Sequence, residues 1–537
     1  LERLLALPLV LRARFALELA LTQDAVHGLG AEHARAHALV DALGRGRVRH
    51  QAGLADRDAA GRGLSVALID QSDLGSATSS ASSKMIHGGL RYLEQFEFAM
   101  VRESLQERAS LLRNAPHLVH GAQFILPLQK ASRPAWMIRI GLYLYDYLAK
   151  REQLPASKAI KLSAHRAGKV LKPDYQKAFS YSDCVTDDSR LVTLVVMDAE
   201  ERGADIFLRN RCEQLRAEQD QWQLQLADGA ELQANAVINA TGPWARQFLE
   251  GQNLEQDTSA LRLVKGSHII VDKQYPGDES YLLQEPDGRV VFAWPFGKAH
   301  TMIGTTEAEH TGPLSDVHMD DAERDYILNA WNRHFQPQLK AEDIRWAFSG
   351  VRPLLDGGDS NATKLSREYQ LHWHMQSGQA PLMTVFGGKL TTHRALAERA
   401  VNELLGEMDL ERVPCWTLQS PLPGGLLRGG SVSTQLDYLM EQYPWLPVEL
   451  ARRYVTSYGS RAERLLEGAK GIADMGEHFG ADLYERELAY GINHEYVREP
   501  EDFLWRRSKL GLLLSEEQQQ HLRKQWPELR RKTAVAA

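Results

Sequence analysis

The chain has 537 residues, more than one hydrophobic core can serve, so two or three domains are expected. Apolar residues make up 43% and charged residues 25%, which excludes a disordered or fibrous protein. A formal net charge of −7 and three scattered cysteines argue against a nucleic-acid partner, a disulfide framework and a cysteine-built metal site.

Residues 1 to about 51 differ from the rest of the chain. They are rich in Leu, Ala, Arg and His and carry no strand-like pattern. The most apolar stretch, residues 4–21, is interrupted by charges, and it is followed by no small-residue cleavage site of a signal peptide. Membrane contact is therefore expected to be peripheral only, and the cysteine usage favours a reducing, cytoplasmic compartment.

From residue 52 onward the pattern predicts an α/β protein. A short helix over residues 52–62 precedes a buried strand over 64–69, which ends on Asp70. A Ser/Thr/Gly loop, residues 72–83, leads to a helix over 97–114. A strand meander is predicted over 204–238, with further strands over 268–271, 290–294, 301–304 and 382–386, and a helix after 392.

Beyond about residue 430 strand signals vanish and helical patterns replace them. We therefore predict three parts: an atypical segment 1–51, an α/β part 52–425 and a helical domain 426–537.

Three strand ends are candidates for a dinucleotide site. Asp70 holds the position where an acidic residue bonds a ribose hydroxyl, although such an Asp is more often a turn former. Thr241 and Gly242 close a second strand, where glycine permits close backbone approach, or simply forms a tight turn. After the third strand, Gly388, Leu390 and Thr391 precede a helix whose N-terminus would stabilise the anionic edge of a reduced flavin.

The most specific segment is residues 77–94, ATSSASSKMIHGGLRYLE. It resembles the signature of the FAD-dependent (aerobic, quinone-linked) glycerol-3-phosphate dehydrogenases. The resemblance continues through RPAWMIR at 133–139, YSDC at 181–184, NATGPW at 239–244, KGSH at 265–268, IGTT at 303–306, SGVRP at 349–353, FGGKLTTHR at 386–394 and LWRR at 504–507. It covers residues 52–537 and implies a Rossmann-like FAD domain interleaved with an antiparallel-sheet substrate domain, followed by a helical domain.

The resemblance also implies roles for individual residues. Arg91 and Arg352 match positions that bind the substrate phosphate, which suits the bidentate fork of arginine. Tyr92 and Thr305 match positions beside substrate oxygens. His87, His268 and Lys389 are the candidates for the general base, and the choice among them stays open. The hydroxyl residues implied to contact the flavin or its pyrophosphate are Thr78, Ser79 and Ser82.

The implied reaction is hydride transfer from C2 of sn-glycerol 3-phosphate to flavin N5, giving dihydroxyacetone phosphate, with electrons passed to a membrane quinone. The protein would then lie on the inner face of the cytoplasmic membrane. Residues 136–151 are suited to the lipid interface, or equally to a core helix. Two basic runs, residues 506–507 and 530–532, are alternative lipid contacts or solvated faces. A homodimer stays open.

One stretch departs from the family. Its Gly-x-Gly-x-x-Gly turn should lie about twenty residues before Asp70. Here only Gly46 and Gly53 match, while Val48 and Gln51 stand at the second and third glycine positions. Either residues 1–51 are an out-of-frame reading of the gene's start, or the protein has diverged and lost FAD. An oxidase that passes electrons to oxygen, and a non-catalytic membrane-associated protein, are the alternative functions.

Overall fold

The computed structural model describes residues 47–50, 53–129, 134–254, 261–355, 369–374 and 379–536. The candidate cofactor residue Gly46 lies outside these ranges, as do Gln51 and most of the atypical segment. Side chains are described from residue 55 onward.

The strands fall into two large sheets and two small ones. In chain order they are β1 Arg47–His50, β2 Ser65–Asp70, β3 Met85–Ile86, β4 His120–Pro127, β5 Lys158–Lys161, β6 Lys177–Val185, β7 Asp205–Leu208, β8 Cys212–Glu218, β9 Gln221–Leu226, β10 Glu231–Ala234, β11 Ala236–Asn239, β12 Leu261–Asp272, β13 Ser280–Gln284, β14 Val290–Phe296, β15 His300–Gly304, β16 Ala308–Glu309, β17 Ile344–Leu355, β18 Gln370–His374, β19 Leu382–Phe386, β20 His478–Gly480 and β21 Leu483–Tyr484.

The α-helices lie mostly outside the sheets and become dominant near the C-terminus. In chain order they are α1 Gly53–Gly61, α2 Phe98–Asn114, α3 Ala135–Tyr147, α4 Asp188–Glu200, α5 Ala245–Gly251, α6 Asp321–His334, α7 His393–Glu407, α8 Val432–Gln442, α9 Val448–Tyr458, α10 Ala462–Leu466, α11 Glu485–His494 and α12 Glu516–Ala536.

The first large sheet has the strand order β18-β19-β11-β1-β2-β7, and all neighbours are parallel except β18. Helix α1 connects β1 to β2 and packs between α4 and α7. Its small side chains Ala55, Ala59 and Ala60 allow this close approach to the sheet core. The carboxyl ends of the parallel strands therefore meet at one edge, where ligands bind in sheets of this kind.

Strand β1 corrects the expectation that residues 1–51 contain no strand. Val48 pairs with Ala236 of β11 on one side and with Val66 of β2 on the other. The segment RVRH has no apolar run, so its own pattern does not predict a strand. Two neighbouring strands offer backbone partners on both sides, and this tertiary pairing overrides weak local preference.

The predicted meander is divided between two sheets. Strands β8, β9 and β10 form a separate antiparallel sheet, whereas β7 and β11 join the parallel sheet. The five strands follow one another closely along the chain, so the sequence pattern alone does not separate them.

The second large sheet runs β16-β12-β15-β14-β13-β4-β6-β3, with β17 paired to β12 and β5 paired to β6. Most neighbours are antiparallel. The sequence pattern does not predict the twelve-residue strand β17, which pairs along β12 so that His268 faces Phe348 and Gly266 faces Gly350. The predicted fold class, a Rossmann-like domain interleaved with a mainly antiparallel substrate sheet, is confirmed.

Helices α8 to α12 form the C-terminal helical domain. The expectation that strands vanish here needs one correction, because β20 and β21 form a two-stranded hairpin. Among the helices of the described ranges, none is long and apolar enough to cross a bilayer.

Candidate active site

The carboxyl edge of the parallel sheet brings together the residues predicted to bind a dinucleotide. Asp70 ends β2, Thr241 and Gly242 follow β11, and Gly388 follows β19. Gly242 has a φ of +59° and a Cβ built on it meets no atom within 4 Å, so open space lies beside this backbone. Gly388 has a φ of +110°, a conformation that favours glycine and turns the chain toward helix α7.

Asp70 is oriented by the backbone of its own turn. Its carboxylate accepts a 2.8 Å hydrogen bond from the Ser72 N–H, and its backbone carbonyl accepts one from Asn210. Burial raises the pKa of Asp70 to about 6. The carboxylate is thus held at the strand end, where it can accept a hydrogen bond from a ribose hydroxyl.

The Ser/Thr loop packs against strand β17 and helix α4. The Thr78 hydroxyl donates a 2.7 Å hydrogen bond to the Val351 carbonyl of β17, while Ser79 is exposed. Ser82 donates from both its N–H and its hydroxyl to Asp188, over 3.2 and 2.7 Å. Because the hydroxyls of Thr78 and Ser82 already have protein partners, contacts of these two residues to a cofactor would come mainly from backbone groups.

A buried ion pair fastens this loop. Lys84 donates to both oxygens of Asp188, over 2.8 and 2.9 Å, and to the Ser80 carbonyl over 2.8 Å. The Lys84 and Asp188 side chains are 2% and 0% exposed, so the pair is screened from water. Helix α4, which begins at Asp188, therefore determines where the loop lies.

The predicted substrate residues Arg352 and Thr305 lie together beside the same loop. Arg352 Nη2 lies 3.4 Å from Thr305 Oγ1. Strand β17, which carries Arg352, also packs against β19 and against the turn at Gly242–Trp244. The phosphate-binding candidate thus lies next to the cofactor edge.

His268 lies on β12, close to this pair. Its Nε2 is 2.9 Å from the Ser83 hydroxyl, and its ring stacks on Phe348 with a centroid distance of 5.1 Å. Burial, together with the charges of Arg352 and Lys84, holds the pKa of His268 well below its usual range. The neutral imidazole is therefore the favoured form, and the same burial and charges oppose its protonation.

The remaining predicted residues form a second group. The His87 N–H donates a 3.1 Å hydrogen bond to Thr391 Oγ1, which joins the HGG turn to the FGGKLTT turn. Lys389 Nζ lies 4.2 Å from the centre of the Tyr92 ring, an arrangement that favours a cation–π interaction. Arg91 is half-buried beside Tyr92, and Leu390 accepts a hydrogen bond from the His393 ring.

Several residues of this site were missed by the sequence analysis. Ser83 contacts His268, Lys84 and Asp188 fasten the loop, and Gly266 makes room for Arg352. Ser83 and Lys84 stand inside the ATSSASSK signature and Gly266 inside KGSH, so motif position could have indicated three of them. Asp188 carries no such signal, because its partner lies 104 residues away along the chain.

Along most of the carboxyl edge of the parallel sheet, the described residues fit a bound FAD. Asp70, the open space beside Gly242 and the N-terminus of α7 are placed as a dinucleotide requires. Gly53 is the first residue of α1. Within the described ranges, no three His, Cys, Asp or Glu side chains cluster as metal ligands do.

Comparison with known proteins agrees with this geometry. A family model described as FAD dependent oxidoreductase matches residues 55–394, and one described as the C-terminal domain of alpha-glycerophosphate oxidase matches residues 415–530. The chain is 47% identical over 469 residues to the glycerol-3-phosphate dehydrogenase of Pseudomonas aeruginosa, covering 87% of this chain and 91% of that protein. It is 41% identical over 465 residues to the D-erythritol 1-phosphate dehydrogenase of Brucella abortus, covering 86% and 92%.

A solved structure is similar over almost the same extent. The glycerol-3-phosphate dehydrogenase from Bacillus halodurans, complexed with FAD, superposes with a TM-score of 0.70 at 26% identity, covering 92% of this chain and 91% of that one. The predicted family and the predicted cofactor are both confirmed. The chain belongs to the family of FAD-dependent glycerol-3-phosphate dehydrogenases.

Proposed function

We propose that this protein oxidises sn-glycerol 3-phosphate to dihydroxyacetone phosphate and passes the electrons to a membrane quinone. The observation that carries the proposal is the group of Arg352, Thr305 and His268 beside the cofactor edge. It combines a cation, a hydroxyl and a neutral imidazole, which are the groups that a small phosphorylated alcohol requires. The 47% identical relative is a glycerol-3-phosphate dehydrogenase.

The phosphate would be bound by arginine. A guanidinium presents two parallel N–H donors to phosphate oxygens, and Arg352 is held at the site by its contact with Thr305. Arg91 would add a second cation from the HGGLRY turn. Tyr92 and Thr305 would bond the remaining substrate oxygens and orient C2 toward the cofactor.

The residues around C2 would then manage the hydroxyl proton. Bound FAD supplies the hydride acceptor, N5 of its ring system. His268 lies beside Arg352 and Thr305, whereas His87 and Lys389 belong to the second group. We retain all three residues as candidates for the general base. The one that serves would contribute about 10²–10⁴-fold to the rate.

The phosphate assignment is tested by replacing Arg352. Arg352→Ala should raise KM for sn-glycerol 3-phosphate about 10- to 100-fold, because a charged hydrogen bond is lost, while flavin content stays unchanged. The matched control is Arg345→Ala on the same strand, since Arg345 is exposed and pairs with Asp272. Loss of flavin in the Arg352 variant would mean that Arg352 serves the cofactor instead.

The same kinetics distinguish the alternatives. A higher kcat/KM for D-erythritol 1-phosphate than for sn-glycerol 3-phosphate would replace the proposed substrate. Stoichiometric hydrogen peroxide without added quinone would favour an oxidase. A colourless purified protein, without flavin absorbance, would favour the non-catalytic alternative that the altered glycine turn allows.

Quinone reduction requires contact with a bilayer, and helix α3 supports this part of the proposal. Its outward side carries Trp136, Ile140, Tyr143 and Tyr147, each more than half exposed. Aromatic and aliphatic side chains in such a stripe suit the boundary of lipid and water. We propose that α3 rests on the inner face of the cytoplasmic membrane. A homodimer stays a prediction.

A further inference from the structure

Basic side chains of the C-terminal domain converge on the Ser/Thr loop proposed to hold FAD and on the start of α4, which fastens that loop. They reach two aspartates, Asp73 in the loop that follows Asp70, and Asp187 next to Asp188. The Arg507–Asp73 contact is buried and the Lys509–Asp187 contact is largely so, and both join the C-terminal domain to the rest of the chain, so they differ from solvated surface pairs.

The first contact joins Asp73 to a π-helical turn, Asp502–Arg507. Arg507 donates from Nη1 and Nη2 to the two oxygens of Asp73, over 2.7 and 2.8 Å, and Arg506 Nε adds a third bond of 2.5 Å. The Arg507 and Asp73 side chains are 0% and 2% exposed. Burial alone would raise the pKa of Asp73, but the bonds and charges of Arg507 and Arg506 hold it below its ordinary value. The earlier alternative that residues 506–507 face lipid is therefore wrong.

The second contact joins Asp187 to Lys509. Lys509 Nζ donates to Asp187 and, over 2.5 Å, to the Ser189 hydroxyl. The next residue, Asp188, holds Lys84 and Ser82 of the Ser/Thr loop. Two adjacent carboxylates at the start of α4 thus bind different partners, one in the C-terminal domain and one in the Ser/Thr loop.

The loop and the helix start that receive these two contacts also touch each other. A Cβ built on Gly75 would lie 3.3 Å from the Ser189 Cβ, so the Asp73 loop packs closely on the start of α4. Displacing either contact would therefore disturb both the ribose-binding end of β2 and the Ser/Thr loop.

We propose that Arg507 and Lys509 are positioning residues for FAD, through which the docked C-terminal domain holds the Ser/Thr loop and the start of α4 in their binding conformation. The inference rests on the cofactor placement proposed above. Its physical basis is preorganisation: a site whose loops are already fixed loses less conformational freedom when the ligand binds.

The test compares three variants of the full-length enzyme, Arg507→Met, Lys509→Met and a control, Arg453→Met. Arg453 forms an equally close bidentate pair with Glu487, but both residues belong to the C-terminal domain. FAD is removed, and its Kd is then measured by titration and flavin fluorescence. Circular dichroism confirms folding, and kcat and KM are measured at saturating FAD.

We expect Arg507→Met and Lys509→Met to raise the Kd for FAD by about 10-fold or more, with kcat largely restored at saturating FAD and Lys509→Arg close to wild type. Arg453→Met should lower the unfolding temperature without changing the Kd. A folded Arg507 or Lys509 variant with wild-type Kd overturns the proposal, as does an equal loss of affinity in Arg453→Met.

Two provisions keep the test decisive. If Arg507→Met fails to fold, Lys509→Met carries the test, because Asp187 keeps its bonds from the Arg190 N–H and the Ser189 hydroxyl. Asp70→Ala tests the cofactor placement separately. A wild-type Kd in that variant contradicts the placement, whereas a raised Kd there with a wild-type Kd in Lys509→Met contradicts only the positioning role.

Discussion

Gly266 lies beneath the two side chains proposed to bind the substrate. A Cβ built at this position would lie 2.6 Å from Arg352 Nη2 and 2.7 Å from Thr305 Oγ1. Both are side-chain atoms, so an added methyl group would displace side chains and not the neighbouring backbone. Glycine at 266 therefore serves the shape of the site more than the stability of β12.

Gly266→Ala should raise KM for the phosphorylated substrate by about 10- to 100-fold, since displacement of a binding group by about 1 Å is costly. Flavin content and unfolding temperature should stay near wild type. Steady-state kinetics and thermal unfolding check this. Gly251→Ala is the control, because its Cβ would meet no atom within 4 Å. The prediction would be contradicted if Gly266→Ala lost its fold while the enzyme that remained active kept the wild-type KM.

At the same scale, Asp56 is a residue whose burial destabilises the folded protein. It lies in the first turn of α1 and is fully buried, and neither carboxylate oxygen accepts a hydrogen bond from another residue of the described chain. Burial raises the pKa of Asp56 well above its ordinary value. The folded protein therefore favours the protonated form, and the destabilisation grows as the pH rises above the unfolded-state pKa.

Asp56→Ala should stabilise the protein by about 1–3 kcal/mol near pH 7, because a buried carboxylate without a partner is removed. The gain should be smaller at pH 5, where less free energy is needed to protonate the carboxyl. Urea unfolding at both pH values measures it, with the exposed Asp316→Ala as control. A gain that does not depend on pH would be evidence against the buried carboxylate as its cause.

At the scale of elements, β1 and β17 are strands that their own sequence patterns do not predict. RVRH lacks an apolar run, and β17 contains Gly350 and Pro353, which usually weaken a strand. Each is nevertheless a strand because a neighbour offers a full row of backbone partners, β2 and β11 for β1, and β12 for β17. Pairing between distant segments cannot be read from either segment alone.

The amides of β1 should exchange with solvent as slowly as those of β2, because β1 is hydrogen-bonded on both sides. Hydrogen exchange with mass spectrometry of the native protein measures this. The comparison strand is β5, Lys158–Lys161, which pairs only with β6 and should exchange faster. If mass spectrometry of the native protein finds a sequence other than RVRH just before residue 51, the result would instead support the out-of-frame explanation.

At the scale of the whole molecule, the exposed stripe of α3 must be reconciled with a net charge of −7. Long-range attraction to anionic lipid would be weak or repulsive, so binding should depend on insertion of apolar side chains rather than on charge. Among the described residues, Phe96 is also 78% exposed, next to the 90–95 turn that contacts α3. One side of the molecule is thus suited to lipid.

Ile140→Glu combined with Tyr143→Glu should reduce sedimentation with phospholipid vesicles by about 10-fold or more, since each charge opposes burial in the interface. Activity with a soluble electron acceptor should not change. Leu426→Glu is the matched control, because Leu426 is 74% exposed but lies away from α3 in the chain. Equal loss of binding in the control would contradict a role specific to α3.

The sequence by itself determined the family, the cofactor and most local elements. Strand β2 ending on Asp70, helix α2 and strand β19 all follow from hydrophobic periodicity and turn residues, which act over a few neighbouring positions. The motifs likewise named the candidate residues, because each motif is contiguous in the chain.

Only the tertiary structure decided how these pieces meet. It gave RVRH a central place in the parallel sheet, joined Asp188 to Lys84 and joined Arg507 to Asp73 across 434 positions of sequence. It also turned α3 outward while burying Arg507. The physical reason is that burial, ion pairing and strand pairing depend on partners that are distant in the chain, and no local pattern specifies them.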